Sequence, residues 1–188
     1  MTLANIPTPF TPDDLLSLES EGLFELVNGK LVEKQMSSVA SKTAGIACVR
    51  LFNFLEKGNG GGELYPEQTF QCFPHDPGLI RRPDVAFIAA HRLAQVPPEG
   101  HVPIAPDLAI EVVSPNDKIY ELDEKLADYR GAGVKLVWVI NPNSRIIKIH
   151  RLDHTYSELD ETDTLSGESV IPGFSVLVRD MLPKVKQP

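Results

Sequence analysis

The sequence has little of what membrane and secreted proteins carry. None of its apolar runs approaches the roughly 18 residues of a membrane-spanning helix, and the run at 136–140 has the length of a strand. The opening segment, MTLANIPTPF, contains neither the basic nor the apolar part of a secretion signal. Cys48 and Cys72 have the spacing of neither a zinc motif nor a disulfide framework. We therefore expect a cytoplasmic protein with no membrane partner.

Positive charge is also scarce. Lys and Arg total 18 against 26 Asp and Glu, which gives a formal net charge of -8. Proteins that grip nucleic acid through its phosphates usually have a basic surface, because release of counterions drives such binding. The charge balance excludes strong non-specific binding over the whole surface. A local basic strip, a transient contact or a contact bridged by a metal ion stays compatible with it. The glycine-rich GNGGG at 58–62 also lacks the Lys and Ser/Thr of a phosphate-binding loop.

Turn and cap residues divide the first part of the chain into short elements. The length of 188 residues and the 42% hydrophobic fraction are typical of one globular domain, which we place at 1–188. Thr11 can cap a short helix, and Asn28-Gly29 between two apolar runs predicts a hairpin because both residues tolerate positive φ. Apolar residues at helical spacing predict a second helix over 37–57, ended by the glycines of 58–62. Its expected inward residues are Ile46, Val49, Leu51, Phe52 and Leu55.

The rest of the chain is mostly strand-like. LYPEQTFQCF alternates, and the runs RRPDVAFIAA and PDLAIEVVSP are each introduced by Pro-Asp, with a Pro-rich surface loop expected at 96–106. Asn116 or Asp117 can cap a helix that runs to about Arg130. VKLVWVINP and RIIKIHRL predict two strands around an Asn-Pro-Asn-Ser turn. The sum is an α/β (α+β) protein, with a central mixed sheet flanked by helices.

Two acids occur in apolar strands. Asp84 follows Pro83 at the start of one run, and Glu111 lies inside LAIEVV in the other. An ionised carboxylate in such a strand is costly to bury unless something compensates it. Glu111 can pair with an arginine or lie at an exposed edge. Alternatively, two acids on adjacent strands can share one metal ion.

Lys125 is unusual because of its phase on the predicted helix. Ile119, Leu122, Leu126 and Tyr129 define the inward stripe at helical spacing, and Lys125 falls within about 60° of Leu122. One interpretation is a lysine whose stem covers apolar surface while its amine reaches water. The other is that the strand ending at 113 lies beneath this helix, so that the amine reaches towards Glu111.

Such a set of residues suits phosphodiester hydrolysis. Magnesium prefers oxygen ligands and binds through one or two carboxylates, several waters and the substrate phosphate. The ion lowers the pKa of a bound water and stabilises charge on the phosphate. A nearby ammonium can orient the attacking water or offset developing negative charge.

Three stretches of the sequence resemble a known family. RRPDVAFI, PDLAIEVVSPND and EKLADYRGAGVKLVWVINP, with FELVNGKLVE near the start, are similar to the Uma-two (Uma2) family of restriction-endonuclease-like proteins over about residues 10–180. That family is part of the PD-(D/E)xK nuclease superfamily. The segment 106–142 is the specific part of the likeness. The resemblance implies a restriction-endonuclease-like core.

The resemblance also implies roles for individual residues. Asp84 and Glu111 would be the metal carboxylates, and Glu25 in FELVNG would be a further acid near the metal, although it also fits an ordinary acid at a hairpin start. The superfamily's usual lysine position is Val113 here, which suggests that the lysine has migrated to the next helix as Lys125. Family members often carry a histidine near the start of the long helix, where this chain has only SKT at 41–43.

Three other residues are secondary candidates. Glu67, in YPEQTFQ, is expected on a strand beside Asp84 as an acid that supports the metal ligands. Arg81 and Arg82 can contact phosphate or neutralise acids, and we expect them to be solvated loop residues.

The leading hypothesis is a metal-dependent DNA endonuclease. Asp84 and Glu111 bind Mg²⁺ or Mn²⁺ together with the backbone carbonyl of Val112, Glu25 lies near the ion, and Lys125 orients or activates the water. Cleavage of both DNA strands requires two active sites, so we expect a homodimer. One alternative is a nuclease fold that serves as a catalytically inactive binding module, which the charge and the missing histidine favour. Another is a hydrolase of a different phosphodiester.

Overall fold

The structure, a computed structural model, describes residues 9–18, 21–58, 61–115 and 117–184. Within these ranges, every helix is too short or too polar to cross a lipid bilayer. The elements in chain order are α1 (Pro12–Ser17), β1 (Phe24–Val27), β2 (Lys30–Glu33), α2 (Ser38–Leu55), β3 (Gly62–Pro66), β4 (Val85–Ala89), β5 (Leu108–Val112), α3 (Ile119–Gly131), β6 (Leu136–Asn141), β7 (Ile146–Arg151), β8 (Tyr156–Leu159), β9 (Thr164–Ser166) and β10 (Ser175–Leu177).

A six-stranded mixed sheet is the centre of the molecule, in the order β3-β4-β5-β6-β7-β8. Strands β5 and β6 are parallel and are connected through α3, whereas the other neighbours are antiparallel. Parallel neighbours need such a crossover, and a strand covered on both faces is apolar throughout. This explains why LVWVI is a continuous apolar run and LAIEV is apolar except for Glu111, and why both runs are buried along their length. The mixed sheet predicted from the sequence is confirmed.

Helix α2 covers one face of the sheet with small residues. Its buried stripe is Ala40, Thr43, Ala44, Ala47 and Leu51. The prediction for the inward face is wrong in part, because Val49 and Phe52 are 58% and 53% exposed. Alanines at helical spacing allow the helix backbone to approach the sheet closely, and the larger side chains turn outward. The helix ends before the glycines, of which Gly60 lies outside the described residues.

Helix α3 covers part of the opposite face. Leu126 and Tyr129 are buried as predicted, but Ile119 is 81% exposed and does not belong to the inward stripe. The N-cap is Lys118, which makes no side-chain capping bond, and the predicted cap Asn116 lies outside the described residues. Asp117 instead accepts the backbone N–H of Ser114 at 2.7 Å.

The hairpin of β1 and β2 forms at Asn28-Gly29 as predicted, with φ of 52° and 71° at the two turn residues. It docks onto the rest of the chain through Leu26, whose N–H and C=O both bond to Ile80, at 3.1 and 2.9 Å. Leu26 and Ile80 pack with Leu15 of α1 in a small separate apolar cluster. This docking brings the N-terminal hairpin close to the start of β4.

Two segments between the strands differ from their predicted structure. Of LYPEQTFQCF, only the first part lies in β3, and Phe70 makes isolated bridges to Arg81 and Val102. The Pro-rich segment at 96–106, expected as a surface loop, buries Val102 and Ala105 against the α3 side of the sheet. Pro172-Gly173 forms the predicted turn in the tail, with φ of 83° at Gly173.

Candidate active site

Asp84 lies where β4 starts and β5 ends. The antiparallel register of the two strands pairs Val85 with Ile110, and the Asp84 N–H continues it by donating to the Ile110 carbonyl at 3.0 Å. The side chain then reaches across to β5, where Oδ2 accepts the backbone N–H of Val112 at 2.5 Å. Asp84 is 3% exposed. The prediction that Asp84 and Glu111 lie on adjacent strands is confirmed.

Glu111 points from the centre of β5 towards α3. Alternation along the strand puts Ile110 and Val112 in the apolar core on the α2 side, and Glu111 on the opposite face. Its Oε1 accepts the hydroxyl of Tyr129 at 2.5 Å and its Oε2 accepts from Lys125 Nζ at 3.4 Å. Glu111 is 6% exposed, so it does not lie at an exposed edge, and its carboxylate is held by Lys125 and Tyr129.

Lys125 reaches inward from α3, as its helical phase predicts. Besides Glu111, its amine contacts Glu25 Oε1 at 2.9 Å. Burial acts to lower the pKa of Lys125, but the carboxylates of Glu111 and Glu25 outweigh it and raise the pKa above its ordinary value. The side chain is 17% exposed and carries a firmly held positive charge.

Glu25 belongs to the same cluster, although it comes from β1. It is 2% exposed, accepts from Arg81 Nη1 at 3.0 Å and accepts the backbone N–H of Arg82 at 3.0 Å. Burial acts to raise the pKa of Glu25, but Lys125, Arg81 and the Arg82 N–H together hold it below its ordinary value. The acid expected from an N-terminal element therefore lies in the same cluster as Glu111, where both carboxylates contact Lys125, and its role at a metal ion stays a prediction.

The expectation that Arg81 and Arg82 are solvated is wrong. They are 5% and 6% exposed. Arg81 bonds to Asp128 of α3 at 2.6 Å as well as to Glu25, and Arg82 donates to the Glu67 carbonyl at 2.7 Å. A buried carboxylate needs such partners, so Arg81 neutralises Glu25 and Asp128, which was the other interpretation of the sequence.

Lys34 is the residue that sequence reasoning missed. Its Nζ lies 2.7 Å from Asp84 Oδ1, 3.1 Å from Glu67 Oε2 and 2.9 Å from the Arg82 carbonyl. The pairing of the hairpin indicates on which face Lys34 lies, although not which partners it has. The Asn28-Gly29 turn pairs Val32 with Glu25, so their side chains share one face of the hairpin. Lys34, two positions after Val32, projects on that same face.

Glu67 lies just after the end of β3, beside Asp84. Its N–H donates to the Asp84 carbonyl at 3.2 Å, and its backbone has a φ of 52°, a left-handed conformation that few non-glycine residues adopt. Burial raises the pKa of Glu67, against the opposing charge of Lys34. The predicted neighbourhood of Glu67 and Asp84 is confirmed, and its side chain meets Lys34.

A cavity of about 480 Å³ opens above these groups. Its floor carries both charge signs, and its walls come from the hairpin and from the first half of α3. The charged residues of the floor are Glu25, Lys34, Arg81, Asp84, Glu111 and Lys125. A site of this size admits a phosphate group with its water.

The oxygen donors of the floor suit a hard divalent cation. Among the described residues, there is no group of three or more His, Cys, Asp or Glu that could hold a metal ion. Magnesium does not require one, since one or two carboxylates plus waters and phosphate suffice. The N–H and C=O of one strand residue point to the same edge, so the Val112 carbonyl faces the edge on which its N–H meets Asp84. The donor set therefore fits Mg²⁺ or Mn²⁺ in its chemistry.

The electrostatics of Glu111 reflect the crowding of charges. Burial is the largest cause that raises the pKa of Glu111 above its ordinary value. Lys125 and Lys34 oppose this shift, and the carboxylates of Asp84 and Glu25 reinforce it. A cation placed among these carboxylates would relieve their repulsion.

A mixed sheet that brings acids from adjacent strands under a lysine from the following helix defines a nuclease-like α/β fold. Residues 12–180 match the model of the Uma2 family, described as "Putative restriction endonuclease", and the chain belongs to that family. The crystal structure of a putative nuclease belonging to DUF820 from Anabaena variabilis is similar, with a TM-score of 0.75 and 19% identity over 92% of this chain and 97% of that one. At that identity, the likeness shows the fold. Among curated proteins, none matches this chain significantly.

Proposed function

We propose that the protein is a metal-dependent endonuclease that hydrolyses phosphodiester bonds of DNA. Family membership supports a nuclease, and one observation carries the finer assignment. Asp84 and Glu111, from adjacent strands, and Lys125, from the helix between β5 and β6, converge on the floor of one cavity. Asp84, Glu111 and the Val112 carbonyl would hold Mg²⁺ or Mn²⁺.

Each side chain has a task in this proposal. A divalent ion held by Asp84 and Glu111 would supply a water of lowered pKa and would neutralise charge on the phosphate. Lys125 holds its ammonium between Glu25 and Glu111, where it can orient that water and offset negative charge that develops on the phosphate. Tyr129 fixes the rotamer of Glu111 through a hydroxyl hydrogen bond of 2.5 Å. Glu25 would hold Lys125 in position and would not be a direct ligand of the ion.

The acidic composition is compatible with this activity. At a net charge of -8, attraction to the phosphate backbone over the whole surface is weak. Binding to DNA would depend on the ion that Asp84 and Glu111 would hold, and on the amines of the cavity. Cutting both strands would require two copies of the site, so the proposal includes a homodimer.

Cleavage of plasmid DNA with and without Mg²⁺ tests the proposal. Wild type should cut only with the ion, and Asp84→Ala and Lys125→Ala should each lower the rate by at least about 100-fold, the size of loss seen when one charge-stabilising group is removed. Asp107→Asn is the matched control, because Asp107 is an equally buried carboxylate, 1% exposed, outside the cavity lining. Equal rates in wild type and both alanine variants remove the assignment.

A second candidate is a nuclease fold that binds a partner without hydrolysis. The ion pair between Lys34 and Asp84 favours it, since an ammonium 2.7 Å from the carboxylate stands where a metal ion would bind. The net charge of -8 favours it as well, and equally favours hydrolysis of a smaller phosphodiester over long DNA. Calorimetric titration with Mn²⁺ separates these candidates: absence of binding at millimolar concentration supports the inactive module.

A further inference from the structure

Lys34 has the surroundings of a bound cation. Three oxygens lie within hydrogen-bond distance of its Nζ, namely Asp84 Oδ1 at 2.7 Å, Glu67 Oε2 at 3.1 Å and the Arg82 carbonyl at 2.9 Å. An ammonium has three N–H groups, so this set uses all of its donors. Two carboxylates and one carbonyl are also the ligands that a divalent ion takes from proteins.

The three oxygens come from separate parts of the chain. Asp84 and Arg82 flank Pro83 before β4, and Glu67 follows β3 with the left-handed backbone that carries its side chain to the same point. A non-glycine residue holds such a conformation only where the surrounding structure compensates for it. The lysine itself arrives from the end of the docked hairpin, with its side chain 11% exposed. The arrangement is therefore a built cation site with an ammonium in it.

The Lys34 site shares one carboxylate with the proposed metal site. Asp84 offers Oδ1 to Lys34 and Oδ2 towards Val112. Carboxylates shared between two cations are typical of sites with two metal ions about 4 Å apart.

We propose that Lys34 is a built-in cation that occupies the ligands of a second divalent ion and reduces the metal capacity of the site by one. The candidate ligands of that ion are Asp84, Glu67 and the Arg82 carbonyl. The catalytic significance of this inference rests on the proposed metal site. The exclusion of an ion by Lys34 is inferred from the contacts of Lys34 alone. The amine gives the site one fixed positive charge in addition to one exchangeable ion.

The test is the number of Mn²⁺ ions bound per chain, measured by calorimetry on wild type and Lys34→Met. Methionine keeps an unbranched side chain, one heavy atom shorter than that of lysine, and removes the charge. Lys34→Gln is the second variant, since its amide can still donate to Asp84 if the methionine destabilises the fold. The matched control is Lys135→Met, because Lys135 makes a similar contact of 2.8 Å with Asp107.

We expect Lys34→Met or Lys34→Gln to bind one more Mn²⁺ than wild type, and Lys135→Met to bind the same number as wild type. One ion in wild type and two in the variant support both this inference and the proposed function. None in wild type and one in the variant support this inference and remove metal-dependent hydrolysis by the wild type. One ion in each overturns this inference and leaves the proposed function, whereas none in either overturns both.

Discussion

Asp84 and Asp107 start neighbouring strands after a proline, and they make the same backbone contacts at opposite ends of the β4–β5 pair. The Asp84 N–H donates to Ile110 and its carboxylate accepts from Val112, two residues further on. The Asp107 N–H donates to Phe87 at 2.8 Å, and its carboxylate accepts from Ala89 at 3.0 Å, again two residues further on. The two aspartates are 3% and 1% exposed.

Their surroundings differ in the sign of the nearby charge. Asp107 has two cations, Arg92 at 2.9 Å and Lys135 at 2.8 Å. Asp84 has Lys34, but it also lies near Glu67, whose N–H donates to the Asp84 carbonyl, and near the acids Glu25 and Glu111 of the cavity floor. The same local motif therefore gives a satisfied ion pair at one end of the strands and a concentration of carboxylates at the other. Tertiary neighbours, rather than the Pro-Asp motif, decide at which end carboxylates are concentrated.

The largest effect is expected for the Glu111→Gln variant, at the end of the β4–β5 pair where carboxylates are concentrated. Cleavage should fall at least about 100-fold, because a metal carboxylate is lost. The free energy of unfolding should rise, or fall by no more than about 1 kcal/mol, since a buried charge among other acids is removed and Lys125 keeps Glu25. Urea unfolding and plasmid cleavage on the same preparation measure both. A variant that unfolds easily would mean that Glu111 is structural.

Asp107→Asn should show the reverse pattern. Cleavage should stay within about threefold of wild type, whereas the free energy of unfolding at pH 7 should fall by about 2 kcal/mol, because two cations lose their buried partner. Urea unfolding gives the loss. A loss of cleavage with full stability would show that the two ends are not functionally distinct.

The pH dependence sharpens this prediction. Burial acts to raise the pKa of Asp107, but the Ala89 N–H, Lys135 and Arg92 outweigh it and lower the pKa. A carboxylate with a lowered pKa contributes stability above its unfolded pKa of about 3.9 and loses it as the pH falls through the lower folded pKa. The difference between wild type and Asp107→Asn should therefore shrink below about pH 4. A difference that stays constant from pH 7 to pH 3 contradicts the role of the charge.

The smallest effect is expected for Lys135→Met. Lys135 is 53% exposed, so solvent screens its contact with Asp107, and Arg92 remains in place. The loss should be about 0.5 kcal/mol. Thermal unfolding in low and high salt measures it, and a loss equal to that of Asp107→Asn would place the stabilisation on Lys135 rather than on Arg92.

Local patterns in the sequence predicted what depends on neighbouring residues. The Asn28-Gly29 hairpin, the strands of the sheet and the inward phase of Lys125 all follow from short-range rules. The family resemblance pointed to Glu25, whose contact with Lys125 connects β1 to α3.

Non-local packing decided what the sequence could not show. The buried face of α2 is lined by alanines, and a size-blind apolar pattern does not distinguish them from Phe52. Lys34 meets Glu67 and Asp84 only because the hairpin docks beside β4, so nothing within the segment reveals its partners. Arg81 looked solvated because its acids, Glu25 and Asp128, are distant in sequence.

The docking of the hairpin has a consequence for folding order. The hairpin can form early as a local unit, but it attaches through the Leu26–Ile80 backbone pair and a small cluster with Leu15. Until it attaches, Lys125 lacks Glu25 and Asp84 lacks Lys34. The charges of the cavity floor are thus balanced only once this long-range docking has formed. Hydrogen exchange at the Leu26 and Ile80 amides would report how often that step reverses in the native protein.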